Sequence, residues 1–167
     1  MKEPRISMNQ ESNTKVLENV RIGFRNFSGK EGRYNREGAR NFCVFLDQDL
    51  ATEMENNNWN LKYLTPRDDN EEPQAFLKVA LQFGRRPPRI FMVNSHGKIQ
   101  LDEETVSILD WADIQNVDLI SRPYDTVING TEFRKAYVQS LYVTIQEDEL
   151  TEKYYDVPDS AMGSLIQ

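Results

Sequence analysis

The run AFLKVALQF, Ala75 to Phe83, alternates strictly. Ala75, Leu77, Val79, Leu81 and Phe83 fall on one face, and Phe76, Lys78, Ala80 and Gln82 on the other. A period of two means a strand with one face in a core. Outward from it, the same logic predicts strands over Val16 to Phe27, Asn41 to Leu46, Trp59 to Leu64, Arg89 to Asn94, Val117 to Arg122 and Glu132 to Ile145. Asn129-Gly130 is a hairpin signal before the last of these, and Pro123 is expected to bend the chain after Arg122. Asp47 is a good N-cap for a helix over 48–56, with Leu50, Ala51 and Met54 at helical spacing. A second short helix is expected from Leu101 or Asp102 to Trp111, burying Val106, Leu109 and Trp111. His96 reads as a solvated turn residue.

About seven strands with two short helices, and no strand–helix–strand rhythm, argue against a doubly wound parallel sheet. They point to a mostly-β domain, an elaborated OB-type antiparallel barrel, with a β-sandwich as the alternative. The expected organisation is a disordered arm at 1–14, one barrel domain at 15–155 and a tail at 156–167.

Composition fits a globular chain, with 38% hydrophobic and 28% charged residues. No apolar run approaches the ~20 residues of a membrane span, and residues 1–14 lack a signal-peptide core. A single cysteine forms no internal disulfide, so a cytoplasmic location is the default. One histidine and one cysteine cannot build a zinc site. Asp68, Asp69, Glu71 and Glu72 lack the spacing of a calcium loop. Asp110, Asp113 and Asp118 have no supporting lysine or histidine pattern for a nuclease. There is neither a G-x-S-x-G turn nor a P-loop. The reading is therefore no enzyme, no metal and no cofactor. Cys43 is expected to be a core thiol.

The charge distribution is more informative. The chain carries −7 overall, yet residues 21–40 hold six cations against Glu31 and Glu37, and residues 145–159 hold six acids against Lys153. Between residues 24 and 42, aromatics interleave with the cations in a glycine-rich stretch that reads as a flexible loop. Cations along a backbone track with flat rings beside them are what unpaired nucleotides require. In an OB barrel the loop between the first two strands borders the binding groove. Arg25, Lys30, Arg33, Arg36 and Arg40 are the candidate phosphate contacts. Phe27, Tyr34 and Phe76 are the candidate stacking rings. Lys62 and Lys78 would join Phe76 on one platform. Trp59 is favoured as core over platform, and Tyr63 is open between the two. The expected partner is single-stranded DNA, with RNA a second candidate and no membrane. The acidic segment offers a place for replication proteins, and self-association is open.

Certain segments resemble a known family. They are Arg40 to Asp47 (RNFCVFLD), Leu109 to Ile114 (LDWADI) with Val117 to Leu119 and Arg122 to Tyr124, and Tyr142 to Leu150 (YVTIQEDEL). They look like parts of a bacteriophage family of OB-fold, single-stranded-DNA-binding-like proteins, over roughly residues 16–155. The resemblance implies a part in replication or recombination inside an infected bacterium. It supplies no binding residues. The rival reading is a protein-interaction module, such as a phage inhibitor, DNA mimic or virion component, working through its acidic surface.

Overall fold

The computed structural model describes residues 14–147. The expected tail, and the expected arm apart from Thr14, lie outside them. Among the described residues eight strands form one sheet: β1 (Lys15–Asn26), β2 (Arg40–Leu46), β3 (Leu61–Leu64), β4 (Gln74–Leu81), β5 (Arg89–Asn94), β6 (Gly97–Leu101), β7 (Ile114–Ile128) and β8 (Thr131–Ile145). Helix α1 (Gln48–Asn56) follows β2. The strand order is β3-β4-β2-β1-β7-β8-β5-β6, and a further β4–β8 pairing closes β1, β2, β4, β8 and β7 into a five-stranded barrel. The closing pair, Val79↔Ala136 and Ala80↔Tyr137, is parallel, whereas β1–β2, β2–β4, β1–β7 and β7–β8 are antiparallel. This is the OB-type arrangement, and it removes the free edges of the barrel strands at the seam.

The inward positions of β4 (Ala75, Leu77, Val79, Leu81) face Leu46, Val44, Phe42 and Arg40 of β2 in register. The buried cluster also takes in Leu17, Phe27, Met54, Trp59, Ile90, Val106, Leu109, Leu119, Ala136, Val138, Leu141 and Val143. Trp59 is core, as favoured. Tyr63 is exposed instead, and its hydroxyl donates to Glu55 Oε2 at 3.3 Å. Cys43 is buried, and that burial pushes its thiol pKa up, with Lys78 and Lys62 pulling weakly the other way.

Asp47 caps α1, its carboxylate accepting from the Leu50 amide at 2.8 Å. Asp47→Ala is therefore expected to cost about 1 kcal/mol of stability, read from urea denaturation.

The structure corrects four local expectations. The second helix is only a 3-10 turn, Val106–Asp110. Five residues cannot bury a full amphipathic stripe, so Val106 and Leu109 are buried but Trp111 is 83% exposed. Just before this turn the Asp102 carboxylate accepts from the Thr105 hydroxyl and from the amides of Thr105 and Glu104. The Thr105 hydroxyl bond, with the amides behind it, holds that carboxyl below the usual range. Gly97–Leu101 is a strand, pairing with β5 as a hairpin around His96. The strand expected to end at Arg122 runs on through Pro123 to Ile128. Pro123 lies beyond the last β1–β7 pair, Lys15↔Ser121, where a missing N–H is tolerated.

The loop joining β1 to β2 is built rather than slack. Gly32 and Asn35 exchange backbone hydrogen bonds, and Gly38 N–H donates to Gly29 O at 2.7 Å. The Asn35 side-chain amide donates to the carbonyls of Lys30, Arg36 and Ala39. Gly29 (φ 73°) and Gly38 (φ 88°) take left-handed conformations that glycine permits. The glycines serve a tight turn, not floppiness.

Candidate nucleic-acid interface

Closing the barrel sorts each strand into an inward and an outward row. On β2 the outward row is Asn41, Cys43 and Phe45, because Phe42, Val44 and Leu46 point in. In register on β4 lie Ala80, Lys78 and Phe76, and on β3 Lys62 opposes Phe76. On β1, Arg21 opposes Phe45 and Gly23 opposes Cys43. A register irregularity between Gly23 and Asn26 gives Phe24 a φ of 48°. That conformation is strained for a bulky side chain, a feature that gathers at functional sites. It leaves Phe24 61% exposed, with its ring centroid 6.0 Å from both Phe45 and Phe76.

Three rings thus share one outward face. The Arg21 guanidinium carbon lies 5.2 Å from the Phe45 ring centroid, and the amines of Lys62 and Lys78 are exposed alongside. Gly23 is needed for this geometry, since a Cβ there would sit 2.6 Å from Phe45 Cε2. Gly23→Ala is expected to leave the chain folded but to tip Phe45. Oligo-dT affinity then drops by about the value of one stack, ~1 kcal/mol or more by fluorescence anisotropy.

Beside the rings lies a cleft of about 700 Å³. Arg36 comes to it from the β1–β2 loop, Arg40 from the start of β2, Lys62 and Lys78 from β3 and β4, and Lys135 and Tyr137 from β8. Ile128, next to the β7–β8 turn, also lines it. This hairpin extends past the barrel and carries Tyr124, 55% exposed and edge-on to Tyr137 at 5.8 Å. Glu37 is the one acidic residue in the lining.

The residues predicted from sequence separate into three groups. Arg36, Arg40, Lys62 and Lys78 meet at the cleft, with Phe76 on the adjoining platform. Lys30, Arg33 and Tyr34 stand exposed on the loop, where the Arg33 guanidinium lies 5.5 Å from the Tyr34 ring. The third group is internal. Phe27 is fully buried and stacks on Phe42 at 5.1 Å, so it is a core ring and not a stacking surface. Arg25 donates to the carbonyls of Leu109 (2.9 Å) and Ala112 (2.8 Å), holding the 3-10 turn against β1, so its cation is engaged within the fold. Arg40 has a double place: it lines the cleft, but its guanidinium donates to Phe27 O at 2.6 Å and lies 4.0 Å from Glu103.

Phe24, Phe45, Arg21, Lys135 and Tyr137 were not among the candidates. Alternation within Asn41 to Leu46 would have put Phe45 outward. Lys135 and Tyr137 were equally legible as the residues flanking inward Ala136. Phe24 was not, because a backbone irregularity sets its direction.

Known structures share this architecture. The single-stranded DNA-binding protein from bacteriophage Enc34, solved in complex with ssDNA, superposes with a TM-score of 0.54 at 11% identity, over 83% of this chain and 89% of that one. Another structure of the Enc34 protein gives 0.52 at 11% identity, over 87% and 92%. At such identity the likeness establishes the fold. No curated protein sequence matches the chain. The family described as "Putative phage ssDNA-binding domain" matches residues 6–166. With nearly the whole chain covered and an OB-type barrel beneath it, this protein belongs to that phage ssDNA-binding domain family.

Proposed function

We propose that the chain holds single-stranded DNA along the outward face of β1, β2 and β4 and through the adjoining cleft. It does so without reading base edges and without catalysing a reaction. The observation that carries this is the gathering of Phe24, Phe45 and Phe76 on one barrel face with Arg21, Lys62 and Lys78 around them. Every base has a π-face, so ring stacking tolerates any sequence, and each stack is worth ~1–3 kcal/mol. The cations supply the phosphate contacts, locally opposing a net charge of −7. Family membership and the Enc34 protein solved with ssDNA support the same reading. The setting is phage replication or recombination in the cytoplasm of the infected host. Among the described residues no helix is long and apolar enough to cross a membrane.

The test is an anisotropy titration with labelled oligo-dT of about 30 nucleotides at low and high salt, repeated with duplex DNA and single-stranded RNA. Saturable binding to oligo-dT that weakens steeply with salt, and exceeds binding to duplex, is expected. An unchanged signal at low salt removes the proposal.

A further inference from the structure

The outward face continues beyond the cleft along β8. Up to Val138 the inward residues are Ala136 and Val138, alternating with outward Lys135 and Tyr137. The β7–β8 register then shifts between Ile120 and Ser121, after which Leu141 and Val143 point in and Tyr142 points out. β5 lies parallel to this stretch of β8, on the edge that β4 occupies lower down, and Phe91 pairs with Tyr142. The two rings stack at 5.1 Å, 19° apart. The Lys98 amine lies 4.7 Å from the Phe91 centroid and 5.7 Å from that of Tyr142, and the Arg89 guanidinium lies 5.7 Å from Phe91.

Neither cation has an ion-pair partner among the described residues. Two acids of the described residues at this end of the sheet bond backbone amides. The Asp118 carboxylate accepts from the Asn19 amide, and that of Glu147 accepts from the Ser95 amide. Arg85 and Arg86, both exposed, stand on the connection from β4 to β5.

We propose that Arg89 and Lys98 form a second phosphate-binding station on the same single strand, reached after the strand leaves the cleft past Tyr137. This inference rests on the DNA-binding reading above. Phe91 is buried and the two cations lie over its ring, so this station binds backbone and not bases. Cations already settled on aromatic faces lose less conformational freedom when a phosphate arrives. The station lengthens the footprint beyond the barrel face and leaves sequence preference unchanged.

The test uses the full chain with Arg89→Gln and Lys98→Gln together, which keep polar side chains over the rings and remove both charges. Oligo-dT of about 8 and about 30 nucleotides is titrated over a salt series. The short oligonucleotide is expected to bind the variant as it binds the wild type. The long one should bind about tenfold more weakly, with the slope of log K against log salt smaller by about 1.4, or about 0.7 per lost contact. Unchanged affinity for the long oligonucleotide, or an equal loss on both lengths, overturns the station while leaving the first groove intact. So does a variant that keeps both DNA affinities but loses binding to polyglutamate, which would assign the patch to an acidic protein. A wild-type chain that binds neither length sinks the underlying reading, and this one with it.

Discussion

Changing Phe24, Phe45 and Phe76 together to leucine is expected to weaken oligo-dT binding about a hundredfold while the chain stays folded. Leucine keeps the apolar cover over Cys43 and the lysine stems but has no flat π-face. Losing about 1 kcal/mol per ring, the low end of the stacking range, gives ~3 kcal/mol in all. Phe24 is mostly exposed, and Phe45 and Phe76 are half-buried on the outside of the barrel. Apolar swaps of similar volume cost under ~1.5 kcal/mol each even in a core. Circular dichroism checks the fold, and anisotropy at fixed salt checks the affinity. Wild-type affinity in a folded triple variant would mean that the bases lie elsewhere.

Phe27→Ala is expected to act on the other side of the sheet and on a different quantity. The ring is fully buried, packed parallel to Phe42. Its amide donates to Asp110 Oδ1 at 2.6 Å, and its carbonyl accepts from Arg40. Truncation leaves a cavity under the start of the β1–β2 loop. A buried phenylalanine cut to alanine costs ~3–5 kcal/mol, a large part of the ~5–15 kcal/mol that holds a typical domain. Urea denaturation should show the midpoint falling with the slope unchanged. Phe27→Leu should recover most of the stability and bind oligo-dT as the wild type does. A Phe27→Ala chain of normal stability that no longer binds would put this ring at the interface after all.

These four rings show what the sequence could and could not reveal. The barrel was legible because strict alternation in Ala75 to Phe83, the Asn129-Gly130 turn and the Asp47 cap are local signals with local causes. The loop between β1 and β2 brings Arg36 to the same cleft as Lys62 and Lys78, and Lys62 opposes Phe76. Phe27 was misread because a ring next to cations looks the same whether it faces bases or Phe42. Arg25 was misread because its partners, the carbonyls of Leu109 and Ala112, lie more than eighty residues away. Trp111 was misread because a helical spacing promised a buried stripe that one 3-10 turn does not provide. Phe24 depended on a single left-handed residue, which no periodicity encodes. The missing β6 has a plainer cause: a short exposed hairpin strand, Gly97–Leu101, carries little alternation to detect.

The parallel seam between β4 and β8 has a consequence for how the protein is made. Val79 and Ala80 meet Ala136 and Tyr137 only after the last strand exists, so a nascent chain halted near the Asn129-Gly130 turn has four of the five barrel strands on hand and no way to shut the cylinder. Contacts between segments so distant along the polypeptide slow folding. Emergence of β8, rather than of any earlier segment, is therefore expected to be the moment at which protease resistance first appears.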